Sequence, residues 1–212
     1  MSAVDTFRAG SSASAIDATL DALLGHVREH DDAVAALWHE LPELAAWGRR
    51  LAEQLTAGAR LIVIADDDSV SSARELAALI VGHSGRGRPP MSAITLPVDA
   101  VGAAGAGDAD SPLALQVHAH ARPGDIVLCL STDGHRSSML PAIHAARASG
   151  SATWAITGPA PDPLADTVDA AIAVRGPAMA AQETQLLVVH LLFRALDEAV
   201  TQAGPAAQEV RS

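Results

Sequence analysis

From Ile16 onward, apolar residues return every three or four positions: Ile16, Leu20, Leu23, Leu24 and Val27. That period predicts an amphipathic helix. A second stripe follows Pro42, carried by Leu44, Trp47, Leu51 and Leu55 and closed by Gly58, a helix-stop signal. Two such helices cannot bury their stripes alone, so they pack on the rest of the chain or on another subunit. After Gly58 the period changes. Residues 61–65 (LIVIA) form a short, wholly apolar run, as expected of a parallel strand covered on both faces. Helical patterns over 71–81, 113–121 and 137–149 then alternate with strand patterns over 92–96, 126–130 (IVLCL), 153–157 (TWAIT) and 170–174. A long helical stretch over 182–202 closes the series. This rhythm predicts an α/β fold, a three-layer αβα sandwich around a five-stranded parallel sheet, preceded by two helices. In such sheets ligands sit beyond the carboxyl ends of the strands, which directs attention to the loops after Ala65, Leu96, Leu130 and Thr157.

Composition narrows the function classes. The chain has 212 residues, with 25 Asp and Glu against 14 Lys and Arg, a net charge of -11. An acidic surface repels backbone phosphates, and aromatics at 2% leave few stacking platforms, so nucleic acid is excluded as a partner. The single cysteine, Cys129, rules out a disulfide framework and a multi-cysteine metal site, and its apolar strand makes it a core residue. No run approaches the roughly 20 apolar residues of a membrane span, and no apolar leader opens the sequence. The expectation is a cytoplasmic protein with no membrane partner.

Three segments carry candidate chemistry. The first, 131–138 (STDGHRSS), follows a strand and opens a helix, where hydroxyls and free backbone N–H groups cradle an anion. The same residues read equally as a Ser/Thr cap with a Gly turn. Asp133 opposes an anion there and Arg136 favours it. The second segment, Asp66-Asp67-Asp68-Ser69, suits a divalent cation or a cationic ligand, although a solvated acidic turn capped by Asp68 or Ser69 is the plainer reading. In the third, Gln182 and His190 lie on the last helix, which is apolar nearly all round from Leu186 to Phe193 and is therefore expected to be buried. A lone histidine on such a helix is ordinarily a satisfied core or interface residue. Eight residues separate Gln182 from His190 by about 12 Å of rise, so they share one site only across a subunit interface.

Taken in order, LIVIADDDS, ARPGDIVLCLSTDGHRSS, AIHAARASGSATWAITG, LADTVDAAIAV and AQETQLLVVHLLF make the chain resemble the sugar isomerase (SIS) domain, and within it the phosphoheptose isomerase group. The resemblance runs from about residue 40 to 200. It implies a homotetramer with sites at subunit interfaces. Composition and pattern add a flexible segment over 1–13 and a disordered tail over 204–212, which leaves 14–57 as a helical pair for oligomerisation and 58–203 as the SIS domain. The resemblance also implies aldose–ketose isomerisation of sedoheptulose 7-phosphate, often with zinc or another divalent cation. Carried over residue by residue, it gives Ser69, Ser131, Thr132, Asp133, Arg136 and Gln182 as the substrate-binding set. His190 and Glu75 are the catalytic pair, and Gln182, His190 and Glu75 are the metal ligands.

The family's catalytic glutamate aligns with Leu79, its metal-binding histidine with Glu75, and two serines of its phosphate loop with Asp133 and Arg136. At about 4 Å, each carboxylate facing a phosphate charge costs on the order of 1–4 kcal/mol, so the acidic loops bear directly on anion binding. Two functions follow from this degenerate set. One is a sugar-phosphate-binding isomerase. The other is a non-catalytic regulatory or partner subunit, including one that lends His190 to a paralogous isomerase in a mixed assembly.

Overall fold

A computed structural model describes residues 13–82, 89–96, 111–132 and 139–209. Helix α1 spans Ala13–Ala36 and passes through a short 3-10 turn, Leu37–His39, into α2, Leu41–Thr56. The α/β unit follows as β1 (Leu61–Ala65), a 3-10 turn (Asp67–Ser69), α3 (Val70–Gly82), β2 (Ala93–Leu96), α4 (Pro112–His120), β3 (Ile126–Leu130), α5 (Leu140–Ala148), β4 (Ala152–Thr157), α6 (Pro163–Thr167), β5 (Ala170–Ala173) and α7 (Ala178–Glu209). All five strands are parallel, in the order β2-β1-β3-β4-β5. The expected αβα sandwich is present.

Alternation along each strand sends side chains to two cores. Leu61, Val63 and Ala65 face α2, α3 and α7, whereas Ile62 and Ile64 face α4, α5 and α6. Helix α2 buries the stripe its spacing predicted, Leu44, Trp47, Leu51 and Leu55, and each fully buried leucine contributes about 1.5–3 kcal/mol. Gly58, with φ 94°, turns the chain out of α2 in the left-handed region that favours glycine. On the same helix, a Cβ at Gly48 would lie 2.4 Å from Ala195 Cβ, so the absence of a side chain lets α2 and α7 approach closely.

Several expectations change. The loop after Thr157 leads directly into the short helix α6, whose N-cap Asp162 accepts from Leu164 N and Ala165 N and also holds the Thr157 hydroxyl. Local propensity hid this element because its order comes from one buried carboxylate. Helix α7 continues to Glu209, so the tail expected to be disordered from residue 204 is helical over 204–209. A glycine stops a helix only when the chain turns left-handed there, and Ala206, Ala207 and Gln208 are good helix formers. The flexible segment expected over 1–13, apart from Ala13, which opens α1, and the loop after Leu96 over 97–110 lie outside the described residues.

Candidate functional site

Strand order locates the site. The chain leaves β1 toward β2 on one side, and β3 is laid down on the other side of β1. The connections therefore diverge between β1 and β3, and the crevice outside their carboxyl ends is where such sheets receive ligands. Two of the three segments singled out by sequence meet at this point. Asp66 N donates to Leu130 O, and Ser131 N donates to Ile156 O. Ser69 and Ser131 are buried, and Thr132 is half-buried. Asp133 and Arg136 lie outside the described residues.

The acidic turn is organised differently from either sequence reading. Asp66 is the cap: its backbone is extended, it is 4% exposed, and its carboxylate accepts from Ser69 N at 3.0 Å. Asp68 and Ser69 do not cap, because they already belong to the 3-10 turn. The three carboxylates consequently do not converge; Asp66 turns inward while Asp67 and Asp68 are exposed. Helix α7 packs against this turn as well. Gln182 Nε2 donates to the Asp68 carbonyl at 2.7 Å.

About 12 Å further along α7, His190 meets α3. Its Nε2 lies 3.6 Å from Glu75 Oε1, and the two side chains are 45% and 47% exposed. The expectation that this stretch of α7 is buried all round is corrected here: Val188, Val189 and Leu192 face the core, but Leu186 and His190 look outward. Among the described residues, seven α-helices around one small sheet leave the outer side of α7 uncovered within a single copy. Leu79, on the same helix as Glu75, is half-buried against the core.

The donor set does not fit the metal that the family resemblance implied. Glu75 and His190 come together, but Gln182 is committed to Asp68 eight residues away. Among the described residues no three His, Cys, Asp or Glu side chains form a metal-holding group. Cys129 is inert as well, since complete burial pushes its thiol well above the ordinary range.

Burial also exposes a feature that the sequence reading missed. Among the described residues, the buried side-chain polar atoms without a hydrogen-bond partner are Ser69 Oγ, Thr184 Oγ1 and both amide atoms of Gln185. Each such group costs about 1–3 kcal/mol if left unmet. The signal was available in the helical period: residues 181, 184, 185, 188, 189, 192 and 196 share the buried stripe of α7, and two of them are polar.

Comparison with known proteins finds one family repeatedly. The family model described as "SIS domain" matches residues 27–158. The phosphoheptose isomerase of Streptomyces coelicolor is 36% identical over 194 residues, covering 90% of this chain and 84% of that protein. The enzyme of the same name from Roseiflexus is 32% identical, covering 72% of this chain and 80% of its own. Among solved structures, a phosphoheptose isomerase from Francisella tularensis superposes with a TM-score of 0.73 at 24% identity, over 85% of this chain and 98% of that one, which shows a shared fold. Among the described residues no helix is long and apolar enough to cross a membrane.

Proposed function

Because this chain belongs to the SIS-domain family, in its phosphoheptose isomerase-like group, we propose that it is a sugar-phosphate isomerase acting on a phosphorylated heptulose such as sedoheptulose 7-phosphate. The observation that carries the reading is the pairing of a carboxylate with an imidazole, Glu75 with His190, at a solvent-accessible position. Ketose-to-aldose isomerisation removes a proton from C1, passes through an enediol and returns a proton to C2. Glu75 takes the carbon-bound proton and delivers it to C2. His190 protonates O2 as the carbonyl becomes a hydroxyl, then accepts the proton from O1. Ser69, Ser131, Thr132 and Arg136 hold the phosphate. No step is routed through a metal. A substrate carrying a phosphate dianion does not cross membranes, which fits work in the cytoplasm.

In one copy the Glu75–His190 pair sits about 12 Å from Gln182 along α7, so the full site forms between copies, with the Glu75–His190 pair of one copy facing Gln182 of a neighbour. Helix α1 supplies the means. Ile16, Leu20, Leu23, Leu24 and Val27 are 42–62% exposed along one face, an apolar stripe that a homotetramer would cover. Replacing Leu20 and Leu23 together with Lys is expected to lower the mass seen by sedimentation to that of a smaller species and to remove activity, with the thermal midpoint of the monomer little changed. An unaltered mass would discard this arrangement.

A second reading has its own observation. Leu79 occupies the position of the family's catalytic glutamate and is half-buried against the core, where it can neither give nor take a proton. This favours a non-catalytic subunit, or one that completes a paralogous isomerase. The test is to follow sedoheptulose 7-phosphate with the purified protein by proton NMR, alongside calorimetry with several sugar phosphates, with and without zinc or magnesium. Aldose formation supports the isomerase. Binding without turnover supports the partner subunit, and absence of both heat and turnover rejects a sugar-phosphate role.

A further inference from the structure

We propose that Thr184 and Gln185, adjoining Ser69 of the phosphate-holding set, form a neutral polar subsite that takes hydroxyl groups of the sugar. The inference rests on the sugar-phosphate reading above and deepens it. Ser69 follows the carboxyl end of β1, and Gln182, bonded to the carbonyl of Asp68, fixes α7 beside that same turn. Thr184 and Gln185 are two and three residues beyond Gln182 and lie on the buried side of the helix. The unpartnered atoms of all three residues therefore lie on two elements joined at the ligand-binding edge of the sheet. None of the three is exposed at all.

The chemistry of the set selects its ligand. Two hydroxyls both donate and accept, and an amide supplies two N–H donors and one carbonyl acceptor. No charge belongs to the set. A phosphate dianion would be opposed by the amide oxygen, and a metal ion would find neither carboxylate nor imidazole. Vicinal hydroxyls of a sugar chain, each donor and acceptor together, suit such a mixed donor and acceptor set. A packing role does not account for Gln185. Its companions on the stripe, Val188, Val189 and Leu192, are apolar, and a leucine at 185 would continue them with no polar atom to desolvate. The exposed Gln182–Asp68 bond joins the same two elements at the surface.

The opposition between stability and binding provides the experiment. Gln185→Leu and the closer-shaped Gln185→Met are compared with the unaltered protein in two measurements. One is thermal unfolding without ligand. The other is calorimetric titration with sedoheptulose 7-phosphate, with inorganic phosphate as competitor. The expected result is a ligand-free midpoint equal to or above that of the unaltered protein, tenfold or greater loss of sugar-phosphate affinity, and phosphate competition within twofold. Unchanged sugar-phosphate affinity in both variants overturns the subsite while leaving the sugar-phosphate reading intact. Equal weakening of sugar phosphate and inorganic phosphate overturns the hydroxyl assignment. A midpoint lowered by more than about 5 °C in both variants also overturns it, because the amide is then already satisfied without ligand. If the unaltered protein binds no sugar phosphate, both readings fall together.

Discussion

His190→Ala is expected to lower kcat for sedoheptulose 7-phosphate isomerisation by 10²–10⁴-fold while the thermal midpoint stays close to that of the unaltered protein. The two halves of that expectation have separate physical origins. A group that moves a proton in the transition state contributes to the barrier and little to ground-state binding, so kcat falls and KM is nearly constant. The imidazole is 45% exposed and touches Glu75 at 3.6 Å, which is the geometry of an exposed ion pair worth under about 1 kcal/mol to the fold. Glu75→Gln keeps the shape of the side chain and removes its basicity, so it is expected to fall into the same range. Because the two act as one couple, the double variant should be little slower than either single one. A His190→Ala protein that turns over substrate at the unaltered rate would remove the pair from the mechanism. Such a result would shift weight to the partner-subunit reading, where Leu79 stands in place of an acid.

The second large effect concerns the fold. Trp154→Ala is expected to cost about 3–5 kcal/mol, read as a fall of roughly 10 °C in the thermal midpoint. Trp154 is 1% exposed in the middle of β4, and its ring stacks on Trp47 of α2 with centroids 4.5 Å apart. Arg50 lies over the same ring at 5.9 Å, and Trp47 Nε1 donates to Glu43 at 2.7 Å, which fixes the stack in place. This is where the N-terminal helical layer docks on the sheet, so truncation leaves a cavity and loosens that docking at once. Trp47→Ala should be comparably severe. A double-mutant cycle should return a coupling of about 0.5–1.5 kcal/mol for the stacked pair. A cost below about 1 kcal/mol for Trp154→Ala would mean that α2 docks by some other contact.

Glu75 and Leu79 illustrate how much of the site was legible beforehand. Their helix was evident from spacing, and the family resemblance assigned them roles. That Glu75 reaches His190 while Leu79 faces the core follows from how α3 and α7 pack. The acidic turn shows the same division. Its place after β1 was readable, but either Asp68 or Ser69 was expected to cap, whereas Asp66 does so. A cap depends on which residue is extended, and that is set by where the strand hydrogen bonds end.

The amino-acid sequence by itself determined the five strands, their alternation with helices, the buried stripe of α2 and the acidic turn after β1. Each of these is a local pattern, written in residues a few positions apart and enforced by the period of helix or strand. Only the tertiary structure decided the rest. It set the strand order that opens the crevice between β1 and β3, the inward turn of Asp66, the meeting of Glu75 with His190, and the burial of Thr184 and Gln185 without partners. Those depend on contacts between residues distant in the chain, where packing of whole helices against the sheet decides which polar groups meet and which remain unsatisfied.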